Sequence, residues 1–359
     1  MSTIQASNIK SAASASNNIV LDASGNATFA GTAAMASSFL RNRIINGDMR
    51  IDQRNAGASV TVNTGNQTFS VDRWWAQGTA SSGVFTIQRS TVAPAGFSNS
   101  LLVTVTTADS SLAANDLYDI AQFIEGFNVS DLGFGTASAQ TITLSFWVRS
   151  SVTGTYGGAL GNNAGNRGYP FTYSISAANT WEYKTVTIAG DTSGTWTTDN
   201  TIGLRAYFGL GVGSTFSGTA GSWSSSFPLS ATGATNLMAT NGATFYLTGV
   251  QLEVGTVATP FERRQFGQEL ALCQRYYQVL LEQLVYEGTV NGGANPINNI
   301  AFPVPMRSSP TASLTPLGGS NASALLVNTV NATTLRVQCT ALATGSAFFV
   351  YNVGIAAEL

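Results

Sequence analysis

Asp116, Asp119 and Glu125 form the densest acidic group in a chain of 359 residues that holds only 18 Asp and Glu in all. Two carboxylates suffice to hydrolyse a glycosidic bond, one as acid and the other as base or nucleophile. In an extended segment Asp119 and Glu125 share a face but stand about 20 Å apart. That exceeds the separation either mechanism uses, so the three acids read as turn acids or as partners of arginine unless a loop folds them together. Histidine is absent, which removes the commonest general base and the commonest transition-metal ligand. Ser-His-Asp and Cys-His systems and His-containing zinc sites go with it. No Asp/Asn cluster has the spacing of a calcium loop. We expect no catalytic residue, no cofactor and no metal.

Binding chemistry is better served, and the residues that offer it are aromatic. In Thr141-Ile-Thr-Leu-Ser-Phe-Trp-Val-Arg149 the even positions Ile142, Leu144, Phe146 and Val148 are apolar. Strand alternation sends that set to a core and leaves Trp147 and Arg149 together on the opposite face. The same parity recurs in Gly203-Leu-Arg-Ala-Tyr-Phe-Gly-Leu210, with Arg205 and Tyr207 on the outer side. A ring that stacks on a sugar, beside a guanidinium that bonds its hydroxyls, is one use of such a pair; a subunit contact is the other. Trp196 and Trp223 lie in Gly/Ser/Thr-rich loops, where a large ring is either a sugar platform or a cover for the sandwich edge. Tyr169 and Tyr173 pose the same alternatives. Trp74 and Trp75 are adjacent, so one faces inward and the other outward, towards a subunit or a sugar. Nothing in the spacing of Tyr286, Asn291, Asn295 and Tyr351 separates receptor contact from packing.

The elements that must position these side chains are strands. From Arg41 to about Glu262 short apolar runs alternate with Gly/Asn/Asp turns, the pattern of a β-sandwich or jelly roll. Phe245 to Val254 switches parity at Gly249, as at a bulge, and would place Phe245, Leu247, Val250, Leu252 and Val254 inside. Residues 153–168 and 211–243 read as long loops. After Pro260, Phe266, Leu270, Cys273 and Tyr277 follow a helical spacing. Strands resume at residues 284–286, 300–302, 325–327, 335–337 and 348–355, interrupted by Pro303, Pro305, Pro310 and Pro316. At the other end, Ile19-Val-Leu21 and Ala27-Thr-Phe29 flank the turn signal Asp22-Ala-Ser-Gly25 and predict a small hairpin.

Composition bounds the rest. Charged residues make up 9% of the chain, against roughly 25% in ordinary domains. With 16 Lys and Arg against 18 Asp and Glu there is no basic excess to displace counterions, so nucleic acid is not an expected partner. Cys273 and Cys339 are too few for a disulfide framework and read as small core residues. No apolar run follows Met1 and none approaches a membrane span, so neither a signal peptide nor membrane insertion is expected.

Arg43-Ile-Ile-Asn-Gly-Asp-Met-Arg-Ile-Asp-Gln-Arg54 and Val71-Asp-Arg-Trp-Trp75 resemble the opening of bacteriophage tail-fibre receptor-binding modules. Residues 120–126, Ser145-Phe-Trp-Val-Arg149, Thr180-Trp-Glu-Tyr-Lys184 and Gly249-Val-Gln-Leu-Glu253 follow in the order such modules show. The pattern is also similar to carbohydrate-binding jelly rolls. The resemblance covers roughly residues 41–277, and more loosely Phe302-Pro-Val-Pro-Met-Arg307.

It implies a mainly β protein in four parts: a virion-attachment segment 1–40, a jelly roll 41–262, a linking helix 263–279 and a small β-sandwich tip 280–359. It implies a homotrimer held on a phage baseplate or tail protein through its N-terminal segment, assembled in a host cytoplasm and carried on the virion. Its ligand would be a host surface polysaccharide, bound without catalysis. Trp147, Arg149, Arg205 and Tyr207 match the sugar-facing positions, with Trp196 and Trp223 at loop tips, and Phe266, Leu270, Cys273 and Tyr277 would meet in the trimer. Arg263, Arg264 and Glu269 would form inter-subunit or solvated pairs. A depolymerase spike and a purely structural baseplate or collar fibre are the alternatives.

Overall fold

The computed structural model describes residues 8–9, 19–21, 27–29, 41–62, 65, 67–79 and 82–359. They belong to two compact units, residues 1–40 and residues 41–359. In the first, β1 (Asn8–Ile9), β2 (Ile19–Leu21) and β3 (Ala27–Phe29) form an antiparallel sheet in that order. Ile19 pairs with Phe29, so the two apolar bursts do form a hairpin. The turn between them, and most of the expected attachment segment, lie outside the described residues.

The second unit begins with β4 (Val60–Val62), β5 (Thr68–Phe69), β6 (Trp75–Gly78), β7 (Val84–Ser90), β8 (Ser100–Thr107) and β9 (Leu117–Glu125). It continues through β10 (Ile142–Ser150), β11 (Gly154–Gly161), β12 (Gly168–Ile175), β13 (Glu182–Ile188) and β14 (Ile202–Val212). Two short strands, β15 (Ser217–Gly218) and β16 (Ser230–Ala231), precede the closing strand β17 (Thr244–Val254). Two six-stranded antiparallel sheets result, ordered β13-β10-β17-β8-β7-β4 and β12-β11-β14-β9-β6-β5, with one core between them. This is a jelly-roll β-sandwich.

Alternation builds that core. Ile142, Leu144, Phe146 and Val148 of the first sheet are fully buried, as are Leu204, Phe208 and Leu210 of the second. The Phe146 and Phe208 rings meet edge to face with centroids 5.1 Å apart. In β17 the bulge falls at Gly249 (φ +61°), and beyond it Val250 and Leu252 return to the core. Val254, expected inside, is exposed because it ends the strand past the core's rim. Half of the Gly-rich segment 153–168, expected as a loop, is β11. A Cβ on Gly158 would stand 2.5 Å from the Phe171 ring, so this glycine serves close packing rather than a turn.

After the sandwich come α1 (Phe266–Gln274), β18 (Tyr277–Val290), β19 (Ile297–Ala301), β20 (Thr311–Ser320), β21 (Leu326–Val330), β22 (Thr334–Gln338) and β23 (Gly345–Ala356). They form two three-stranded sheets, β18-β23-β20 and β19-β22-β21, around Phe302, Met306, Leu335, Val337, Tyr351, Val353 and Ile355. The sequence pattern misses β20, which carries Pro316. That strand is an edge, and Pro316 sits at a register shift where its missing N–H is tolerated.

The junction departs from expectation. The helix stops at Gln274, and Tyr277 opens a strand. Cys273 is fully buried among Ile45, Ile51 and Tyr276 of its own chain, so it cannot meet a partner copy. Leu270 packs partly against that cluster, and Tyr277 lies under the Arg54 guanidinium, 3.6 Å from the ring centroid. Of the four proposed trimer residues Phe266 is exposed, at 56%, Leu270 and Tyr277 are half-buried, and Cys273 is closed off. Arg264 and Glu269 form a buried pair within the chain, not an inter-subunit one. Among the described residues no helix is long and apolar enough to cross a membrane.

Candidate functional site

β10 holds Trp147 and Arg149 on the outer face of the first sheet because its inner positions are filled by the core. Register then decides their company. Trp147 pairs with Tyr183 of β13 on one side and Thr248 of β17 on the other. The Trp147 and Tyr183 rings lie 5.3 Å apart at 46°, and Tyr183 is exposed. One row along, Arg149 is opposite Tyr246 and its guanidinium sits 4.9 Å from that ring, while Trp181 meets Tyr246 edge-on at 6.0 Å. The Arg149 Nε donates to the Asn179 carbonyl at 2.9 Å, which holds the side chain along the sheet.

The opposite wall comes from two loops. Phe97 and Phe261 meet edge to face at 5.2 Å, and Arg263 lies over both rings. Between the walls is an open groove of about 460 Å³, lined by Phe97, Ser145, Trp147, Tyr183, Phe261 and Arg263 among others. Gly249 forms part of its floor. A Cβ there would stand 2.7 Å from the Phe97 ring and 3.1 Å from the Trp147 indole. The bulge read from the sequence is therefore also what leaves the groove open.

The remaining predicted residues go elsewhere. Arg205 and Tyr207 belong to the other sheet, so the two Arg–aromatic pairs lie on opposite outer sides of the sandwich. Tyr207 is 2% exposed, packed with Trp75, Phe123 and Leu229 beneath Phe227. Arg205 lies between the Phe123 and Phe227 rings and donates to the Asn163 carbonyl. The segment after β14 folds back over this face, so it is closed rather than open to a sugar. Trp75, the outward member of the Trp pair, is buried there too, while Trp74 enters the main core.

Trp196 and Trp223 do come together, with ring centroids 5.4 Å apart, and each also meets Phe134. Their indole N–H groups donate to the carbonyls of Ser193 and Ala189. The slot beside Phe134 and Trp196 measures about 20 Å³, room for one water and not for a sugar. These rings cover the sandwich edge.

The acidic trio is dispersed as well. Glu125 is buried and accepts both nitrogens of Arg275, at 2.5 and 2.8 Å, and the Tyr276 hydroxyl at 2.7 Å. Asp119 is fully buried, and Asp116 caps a turn at Ala113. Among the described residues no group of three His, Cys, Asp or Glu could hold a metal ion.

Reading the sequence missed Phe97, Trp181, Tyr183, Tyr246, Phe261 and the role of Arg263. The signal for two of them was present, since Trp181 and Tyr183 alternate with Glu182 and belong to an outer face once β13 pairs with β10. Phe97 and Phe261 are loop residues 164 positions apart, and no periodicity connects them.

No protein-family model matches the chain, and no curated protein sequence matches it. Several solved structures do. A Bacteroides thetaiotaomicron protein described provisionally as sugar-binding aligns at 12% identity over 60% of this chain and 100% of its own, with a TM-score of 0.36. A family 11 carbohydrate-binding module of a Clostridium thermocellum cellulosomal cellulase aligns at 14% identity over 57% and 99%, with a TM-score of 0.27. Discoidin II from Dictyostelium discoideum aligns at 9% identity over 71% and 82%, with a TM-score of 0.21. Likenesses at this level assign neither a ligand nor a residue's role.

Proposed function

We propose that the chain is a non-enzymatic glycan-binding protein and that it serves as a phage tail fibre, attaching a virion to a host surface polysaccharide. The observation that carries the glycan reading is the unfilled groove beside the Trp147–Tyr183 pair. Neither the Trp147 indole N–H nor the Tyr183 hydroxyl bonds to any of the described residues, so rings and donors together are free for a polyol. An aromatic face meets the apolar side of a pyranose, and the polar edge takes its hydroxyls. The virion assignment is supported by the order of the segments between Arg43 and Glu253 that resemble tail-fibre modules.

A shallow open groove of this kind binds with millimolar affinity, about 4 kcal/mol. Three copies on one fibre, and several fibres on one virion, raise avidity by orders of magnitude without new contacts. Trp147→Ala is expected to weaken binding of purified protein to host polysaccharide by about 2 kcal/mol, roughly thirtyfold, with the melting temperature unchanged. Calorimetric titration measures it, and an unchanged affinity would show that the sugar sits elsewhere. The same protein should coat host cells and compete with virions for adsorption. Failure to do either removes the attachment role, and release of new reducing ends would make it a depolymerase.

A further inference from the structure

We infer that the groove selects an acidic glycan, one whose sugar ring carries a carboxylate, and that Arg263 in its lining receives the charge, with Arg149 one row along the sheet adding to the field; this rests on the glycan reading of the groove. Arg263 lines the groove over Phe97 and Phe261, and Arg149, over Tyr246, stands one row along the outer face from Trp147. In a chain with only 16 Lys and Arg, a groove-lining Arg263 and a nearby Arg149 are a concentration of charge, although Arg263 also donates to the Gly96 carbonyl. Neither forms an ion pair with a carboxylate of the described residues, and the terminal nitrogens of Arg149 bond to none of them.

The acids near this face are already matched. Asp48 is buried and pairs with Arg50 at 2.5 Å, and Arg263 acts on it only at longer range. Glu253 is 2% exposed beneath Thr259, bonded to the Thr259 N–H and hydroxyl and 3.7 Å from Arg41. Glu182 pairs with Lys184 at 2.6 Å, turned from the outer face on which Tyr183 stands. What the groove presents is therefore aromatic carbon with net positive charge. A neutral polysaccharide uses a guanidinium only as a donor to its hydroxyls, whereas a uronic acid residue stacks its ring on Trp147 and offers a planar carboxylate to the guanidinium fork.

The test uses full-length protein on matched pairs of probes: hexagalacturonate and its methyl ester, sialyllactose and lactose, hyaluronan and chitin oligosaccharides. Mannose 6-phosphate and mannose separate carboxylate from phosphate recognition. At low salt an acidic member should bind about tenfold tighter than its neutral partner, and the ratio should fall several-fold in 0.5 M NaCl, as charge is screened. Arg263→Gln should lower the ratio several-fold, and Arg149→Gln should lower it less. Trp147→Ala should weaken both members. Equal binding within every pair, or no change in the ratio on Arg263→Gln, overturns the inference and leaves the glycan reading standing. Preference for the phosphate alone overturns the carboxylate assignment. Binding of no probe by the wild-type protein counts against both.

Discussion

Asp119 lies on β9 on the same side as Leu117, Ala121 and Phe123, beneath the segment that closes the outer face of the second sheet. One carboxylate oxygen accepts from Gln77 Nε2 at 3.3 Å, and the other has no partner. Burial pushes its pKa from 3.8 to about 7. Folding therefore favours the protonated acid, and the native state holds the proton that the unfolded chain releases near pH 4. Stability should fall as pH rises from about 4 to 7 and level off above that, a span on the order of 4 kcal/mol. Asp119→Asn should flatten this slope and stabilise the protein at pH 8. Urea midpoints of the two proteins across pH 4–8 check it, and parallel curves would refute it. Gly249 supplies a second prediction at this scale. At φ +61°, with Phe97 against the missing Cβ, Gly249→Ala should cost about 1–2 kcal/mol in backbone strain and narrow the groove. Melting temperature and sugar affinity should both drop.

Elements are tied together mostly at the junction. Arg275, just past α1, reaches Glu125 at the end of β9, and Tyr276 adds its hydroxyl to the same carboxylate. Arg73 stacks on Tyr276, and Arg54 and Arg73 both pair with Glu358 after β23. Arg307 donates to the carbonyls of Asn200, Ala357 and Glu358. The helix and the two small sheets are thus docked on the sandwich by charge as well as by the Cys273–Tyr276 cluster. Arg275→Ala would leave Glu125, 1% exposed, without its ion-pair partner. Loss of one partner from a buried pair costs 3–5 kcal/mol, and since Arg275 is itself a third exposed, about 2–3 kcal/mol is expected. Urea unfolding should show that loss, together with faster proteolysis near the junction.

For the molecule as a whole, the outer surface of the C-terminal sheets carries Leu281, Leu284, Leu317 and Phe348 exposed between 40% and 63%. The proposed homotrimer would draw on such surface, since Cys273 and Leu270 are committed to their own chain. Light scattering on purified protein should give three times the 37.3 kDa chain mass. A chain mass alone would remove the trimer and, with it, the avidity on which millimolar sites depend.

Strand parity was legible in the chain, because alternation needs only neighbours along one segment: Ile142 to Val148 and Leu204 to Leu210 went to the core, and Trp147 and Arg149 outward. The bulge at Gly249 was legible for the same local reason. Lack of histidine excluded His-based catalysis and His-containing metal sites by composition alone. What lies over a strand's outer side was not legible, since covering segments come from far along the chain. Tyr207 and Arg205 share Trp147's and Arg149's parity yet are closed over by Phe227 and Leu229. Cys273 reads as a small core residue and is one, but its helical spacing could not say that it packs on Ile45 and Ile51, more than 200 positions earlier, and not on a partner copy. Local alternation could name the sides of each strand; only long-range packing decided which side stayed open and set Phe97 and Phe261 opposite Trp147.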